Sequence, residues 1–498
     1  MARKISRLEP RRLLALTSVI GGLAMSANAW AVPSFTRQTG WSCATCHTSY
    51  PQLTPMGRMF KLLGYTTENL QPQQKVEAKV GNVVHLLLPR ISQFSIFVQA
   101  DDTHVAGGQG VLGQPSRVSG NGVGNNNNLE VPQQVSLFYA GEVTPHVGDF
   151  LHITYSGNSG SFAFDDSSIV RAQAWTLGRY NTLITGVDVN NTPGATDLWN
   201  TSTDWQAPFF TSNYTAEGDV PTTFIAASQG ASFPVIGLGA YAADIVGPNR
   251  ANWFYVEADA YNNSEGIGAG PNSGVIGEGG GNQYTLNNSS SCVANSAACV
   301  AFGQLAGTAP YVRLAYQHDW SDWNWEVGSY DMWSRVYASP VSSAVDRFYD
   351  YDLDSQLQWL DINDNSNVTV RANLIHEDAR FAAGDVGPTG GSSDGHGQLN
   401  TFNLNATYWY HDEYGAQGGF QDVTGTANSN FWGGNIYTSA NGSPNTTDEW
   451  VEASYLPWWN TRLSVRYTMF NTFRGFTGNN GVSPSKFNTI ELLAWIAY

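Results

Sequence analysis

The sequence predicts a mainly β chain: an antiparallel outer-membrane barrel of about sixteen strands behind a small helical N-terminal segment. Three observations carry that expectation. Short stretches of alternating polar and apolar residues recur from about residue 90 to the C-terminus. The connections between them alternate between long and short. Charged residues make up 13% of the chain, roughly half the ordinary share, while aromatics also reach 13%. Few charges with many Trp and Tyr is the composition a lipid-facing apolar band with aromatic girdles needs.

In chain order, residues 1–31 read as a secretory signal peptide. Arg3, Lys4, Arg7, Arg11 and Arg12 form a basic start, and Leu13 to Ala24 is apolar. Ala27-Asn28-Ala29 or Ala29-Trp30-Ala31 offers a small-x-small cleavage site. The apolar run falls short of the ~18–20 residues a spanning helix requires, so an N-terminal anchor is the weaker reading.

Residues 32–88 form a small segment that holds the chemistry. Cys43-Ala44-Thr45-Cys46-His47 is a C-x-x-C-H motif. Its thiolates lie one turn apart, so each can add to one vinyl group of haem, and His47 is then placed as the proximal iron ligand. A thioredoxin-like pair would need a βαβ context, and a zinc site would need a second ligand pair nearby. The sequence offers neither, and export supplies the compartment that covalent attachment requires. One covalent haem c is expected.

A short helix should follow, capped by Thr54, with Pro55 at its first position and Gly64 at its stop. Met56, Met59, Phe60 and Leu63 fall on one apolar face. Met56 is the candidate distal iron ligand and Met59 the alternative. His85 is also within the segment, and a five-coordinate iron stays open. A thioether ligand would raise the reduction potential. Arg58 and Lys61 fall elsewhere on the helix, where they could reach haem propionates. The segment is too small to be stable on its own core, so the haem serves as core or the rest of the chain shelters it.

Residues 89–498 are expected to form the porin-like barrel. Leu463, Val465, Tyr467 and Met469 share one face of a strand, and Arg462, Ser464, Arg466 and Thr468 the other. Val368, Val370, Ala372 and Leu374 likewise oppose Thr369, Arg371, Asn373 and Glu377, and Phe254, Val256, Ala258 and Ala260 oppose Glu257 and Asp259. Strand starts fall near residues 90, 132, 147, 168, 182, 235, 251, 309, 322, 345, 365, 399, 413, 446, 460 and 486. Long connections such as 191–234 and 263–308 alternate with short ones such as Ser321–Asp322 and Asp412–Glu413. Short periplasmic turns, long external loops and an even strand number are the marks of an outer-membrane barrel. A barrel this wide leaves a lumen that the N-terminal segment could plug, with Glu257, Glu326, Arg371, Arg466 and Glu491 facing it. Cys292 and Cys299, close together in a Gly/Asn/Ser-rich stretch, read as a disulfide pinning a long loop, with two free thiols as the alternative. The formal charge of -17 gives no basic stripe for nucleic acid. The outer-membrane lipid is the expected surrounding.

The run from Gly40 through Cys43-Ala44-Thr45-Cys46-His47-Thr48-Ser49-Tyr50-Pro51-Gln52-Leu53-Thr54-Pro55-Met56-Gly57-Arg58 to Tyr65 resembles the fused monohaem cytochrome–porins. That group includes outer-membrane iron-oxidising c-type cytochromes of acidophilic bacteria. The resemblance implies an iron:cytochrome c oxidoreductase, which takes electrons from extracellular Fe(II). It would deliver them to a periplasmic c-type cytochrome or a cupredoxin such as rusticyanin. Cys43, Cys46 and His47 carry over as the haem-binding residues. For Fe(II) docking the sequence offers His104 or loop carboxylates. Two other classes fit the same residues: a porin whose haem plug is structural or a sensor, and a conduit exporting electrons outward.

Overall fold

The structure, a computed structural model, describes residues 33–49, 51–66, 75–80, 83–89, 93–107, 127–157, 161–201, 223, 235–263, 305–337, 344–361, 363–382, 395–427, 439–440, 442–479 and 482–498. The expected signal peptide and the Cys292–Cys299 pair lie outside these residues. Near the N-terminus come helices α1 (Pro33–Thr39), α2 (Cys43–Cys46) and α3 (Pro55–Leu62). They are interleaved with a small pair, β1 (His47–Ser49) and β2 (Gln52–Leu53), and followed by a separate hairpin, β3 (Lys75–Val80) and β4 (Val83–Pro89).

The barrel strands are β5 (Phe94–Val105), β6 (Asn127–Thr144), β7 (Val147–Ser156), β8 (Ser161–Phe164), β9 (Ser168–Thr176) and β10 (Thr182–Asn190). Next come β11 (Val235–Val246), β12 (Asn252–Asn263), β13 (Ala309–Trp320), β14 (Trp323–Tyr337), β15 (Val345–Asp361) and β16 (Ser366–Arg380). The last are β17 (His396–Tyr410), β18 (Tyr414–Gly425), β19 (Thr446–Trp458), β20 (Thr461–Thr472) and β21 (Thr489–Ala497). All pair antiparallel in one closed sheet, with β21 joined to β5 from Thr489↔Val105 to Ala497↔Phe97. The short β8 and then β9 both pair with β7, so together they fill one place in the wall and the circuit has sixteen places. Closure pairs the first strand with the last, which is what hydrocarbon demands of a spanning sheet.

Each expected strand is present, and the side-chain alternation runs inside out. On β20, Leu463, Val465 and Tyr467 are exposed, whereas Arg462, Ser464, Arg466 and Thr468 are buried. On β12, Phe254 and Val256 face out and Glu257 and Asp259 face in. Trp175, Trp320, Trp323, Tyr410, Tyr414 and Trp458 stand exposed beside the short turns and make a girdle there. Apolar outside, polar inside and aromatic at the rim identify an outer-membrane barrel. Among the described residues no helix is long and apolar enough to cross a membrane; the strands cross it. The short turns, such as 321–322 and 411–413, share one mouth, which is therefore periplasmic.

Two features fill the lumen. At the long-loop end, inward apolar residues including Tyr261, Tyr311, Tyr330, Phe348, Phe473 and Phe487 form a buried cluster. The connection after β10 leaves from the long-loop end, as the loop parity predicts, and its first part folds back into the lumen. Thr192 caps the short helix α4 (Pro193–Thr196), and Asp197 then accepts from the backbone N–H groups of Trp199 and Thr201, both at 3.0 Å. Leu198 and Trp199 are buried, and Trp199 Nε1 donates to Gln317 Oε1 at 2.8 Å.

Candidate functional site

The N-terminal segment sits in the periplasmic mouth. Three ties fix α1 to the strand ends there. Ser34 N donates to Ser95 Oγ at 3.0 Å, Gln38 Nε2 donates to the Ala140 carbonyl at 2.9 Å, and the Arg37 guanidinium donates to the Phe94 carbonyl. Gly40, at φ 73°, ends α1 where other residues would be strained. The segment builds its core jointly with the wall: Phe35 stacks on Tyr65 at 5.4 Å and meets Phe60 edge-on at 5.2 Å. Phe60 and Tyr65 bury against Val170 and Ala172 of β9. This shelter answers the size problem that the sequence raised.

The Cys43 and Cys46 thiols occupy the single turn α2, half-buried and not bridged to each other. His47 follows at once in extended backbone, at the start of β1. Burial pushes its imidazole down to about 4, against the raising effect of the Pro51 and Gln52 backbone, so above that pH the ring is neutral, as an iron ligand must be. Thr54 then locks the turn to the next helix. Its N–H donates to the Cys46 carbonyl at 2.9 Å, its Oγ1 donates to the Thr45 carbonyl at 2.6 Å, and the same oxygen accepts from Gly57 N at 3.1 Å as the cap of α3. Gly57 is required where it is: a Cβ there would collide with the Cys46 carbonyl. Gly64 and Tyr65 close α3 with positive φ, as the sequence implied for Gly64.

This close approach puts the two methionines in different surroundings. Met59 packs with Leu63 against a cluster formed by Ile184 of the wall and Leu198 and Trp199 of the inward loop. Met56, next to Gly57, is 36% exposed. The donor set of two unbridged thiols, a neutral imidazole and an unengaged thioether within one locked turn and helix fits a covalent haem c. His85 lies on β4, in a hairpin separate from the barrel sheet.

Arg58 and Lys61 differ from expectation. Instead of lying free for propionates, Arg58 is fully buried against the wall. Its Nη1 donates to Gln358 Oε1 at 3.0 Å and the Leu53 carbonyl at 2.8 Å, and its Nη2 donates to Asn324 Oδ1 at 2.8 Å. Burial lowers its pKa to about 10, with Asp319, Glu326 and Asp197 opposing, so it stays charged. Lys61 Nζ donates to the Asp197 carbonyl at 2.7 Å, and Tyr241 Oη donates to the Leu62 carbonyl at 2.6 Å. The helical period placed these side chains away from the apolar face, but inside a barrel every face of a plug meets a wall.

The five charges assigned to the lumen all point inward. Glu326 lies 3.7 Å from Arg313, which also contacts Asp354 at 3.0 Å and Asp197 at 3.5 Å and so anchors the inward loop. Arg371 Nη1 donates to the Asn200 carbonyl at 2.8 Å, and Arg466 lies 3.7 Å over the Trp450 ring. Glu257 and Glu491 are buried. Arg313 and Asp197 escaped the sequence reading because their roles depend on a loop fold that strand periodicity does not report. His104, raised as a docking residue, is exposed on the outward face of β5, away from the lumen.

No protein-family model and no curated protein matches the chain. Among solved structures it is similar to OmpTdeltaL8, a loop deletion mutant of the outer membrane protein OmpT of Vibrio cholerae, at 8% identity over 81% of this chain and 98% of that one, with a TM-score of 0.40. The outer membrane channel DcaP of Acinetobacter baumannii matches at 11% identity over 81% and 96%, TM-score 0.40. An anion-selective porin from Comamonas acidovorans matches at 10% over 81% and 98%, TM-score 0.41. At such scores these stand as similar barrels only; the assignment of this chain rests on its own strands.

Proposed function

We propose that this barrel carries one haem c on Cys43 and Cys46, oxidises extracellular Fe(II), and hands each electron to a periplasmic c-type cytochrome or cupredoxin. The observation that carries the electron-transfer part is the position of the Cys43–His47 turn, tied by α1 and Thr54 into the periplasmic mouth. The choice of Fe(II) comes from the sequence resemblance. The haem, when bound, supplies a one-electron acceptor whose potential a thioether ligand and burial would raise. His47 would hold the iron, and the Met56 thioether would be its second protein ligand. Fe(II) gives up one electron and leaves as Fe(III), and no proton moves, so no acid or base is needed. The residues of the chain act by position. Arg58, Lys61 and Tyr241 hold the plug to the wall, and the exposed mouth leaves the turn within reach of a carrier.

A second reading is a porin whose plug only closes the pore. The ties of Arg58 favour it, since they would seat the plug with or without electron transfer. Mixing oxidised, haem-loaded protein with Fe(II) at acid pH separates the two. The oxidase reading expects the reduced haem band to grow within seconds; a spectrum that stays ferric would sink it and leave the closed porin.

A further inference from the structure

Three carboxylates in the lumen stand outside the ties described above. Asp188 on β10 and Glu257 and Asp259 on β12 each bring an oxygen within 4.8 Å of the others. The register explains how. Asp188 is paired with Gly239 of β11, and Gly239 with Asp259, so one row crosses three strands; Glu257 is two residues along, opposite Tyr241. A Cβ at Gly239 would collide with Asp259 Oδ1 and with Asp188 Oδ2. Glycine within a strand weakens it and marks a place where something must come close. Here two acids lean over its backbone from either side.

Their hydrogen bonds are half complete. Asn190 Nδ2 donates to Asp188 Oδ1 at 2.6 Å and to Asp259 Oδ1 at 2.9 Å, and Tyr255 Oη donates to Glu257 Oε2 at 3.1 Å. Of the remaining oxygens, Asp188 Oδ2 and Asp259 Oδ2 are buried without a donor, and Glu257 Oε1 has beside it only the Thr196 hydroxyl, which itself donates to the Pro193 carbonyl at 3.0 Å. The side chains are 2%, 0% and 5% exposed, respectively. Tyr261, two residues beyond Asp259 on β12, adds a buried hydroxyl that also has no partner. The charges of Lys61 and Arg313 lie close enough to act on Asp188 and Glu257. Their hydrogen bonds go elsewhere, Lys61's to the Asp197 carbonyl and Arg313's to Thr201 and Asp354, so neither caps the free oxygens. Buried carboxylates of this kind are strongly unfavourable unless a cation or proton joins them.

We infer that Asp188, Glu257 and Asp259 bind a hard divalent cation inside the lumen, on the outer side of the plug. Oxygen-only ligands suit magnesium, calcium, manganese or ferrous ions over soft metals. Naming Fe(II) as the occupant during turnover rests on the proposed function; the site itself does not.

Mn(II) is the probe, added to the full haem-loaded protein at neutral pH. Binding is read at equilibrium by the loss of the free-ion EPR signal, since the apolar cluster lies between the site and the outer mouth. One Mn(II) per chain is expected, with affinity at least about 10-fold weaker in Asp188→Asn and Asp259→Asn. Heat-modifiable migration on a denaturing gel shows that each variant has folded. No Mn(II) retained by the unaltered protein overturns the site whatever the variants do, and so does equal retention by folded variants; acids that share protons instead would give that result. Mn(II) binding without Fe(II)-driven haem reduction keeps the site and overturns the oxidase. Haem reduction by Fe(II) at an unchanged rate in both variants overturns Fe(II) as the occupant.

Discussion

Replacing Arg58 by methionine is expected to loosen the plug from the barrel. The side chain is fully buried, and two of its three hydrogen bonds cross from the plug to wall residues Asn324 and Gln358. A hydrogen bond from a charged donor contributes about 1.5–3 kcal/mol, so the two crossing bonds together represent roughly 3–6 kcal/mol. Methionine refills most of the volume, and Gln358 keeps its own bond from Nε2 to the Leu53 carbonyl at 3.2 Å. The lower end of the range therefore applies. A loss of about 3 kcal/mol raises the undocked population roughly 100-fold. Two assays read this: the open fraction of single channels in planar bilayers, and protease cleavage within residues 33–66 from the periplasmic side. Arg58→Met barrels as closed and as protected as the unaltered protein would show that the wall contacts do not hold the plug.

Two other outcomes follow from the same geometry. Gly57→Ala should push α3 off the Cys46 carbonyl and shift Met56, so the haem spectrum in the ferric state should change while the barrel still migrates as folded. In the turn between β17 and β18, burial raises the Asp412 carboxyl from 3.8 to about 6, against the Asn367 hydrogen bond and His411. Folded protein thus holds that proton more tightly than unfolded, so the contribution is present in acid and is lost as pH rises through about 6. Asp412→Asn should leave stability near pH 4 unchanged and raise it at neutral pH, checked by melting curves of both proteins across that range.

The barrel was legible because its physics is local. Alternation along Leu463–Met469 and Arg462–Thr468 already separates lipid face from lumen face, and loop parity gives the sidedness. The helix from Pro55 was legible for the same reason: Thr54 and Gly64 are signals within the segment itself. What stayed hidden depends on registers and on segments that meet across hundreds of residues. Arg58 finds Gln358 and Asn324, and Lys61 finds Asp197, only after the barrel has closed around them. Asp188, Gly239 and Asp259 form one row because β10, β11 and β12 pair without a slip, and a shift of one residue would send one acid to lipid.

The seam between β5 and β21 also sets an order of events. The plug hangs from the strand that must receive the last one, and Ile96 and Tyr498 exchange backbone bonds only when the circuit shuts, at 3.0 and 2.7 Å. Ser34 and Arg37 tie the plug to β5, the same strand onto which β21 zips. A barrel that fails to close at this seam therefore also loses the frame that seats the Cys43–His47 turn.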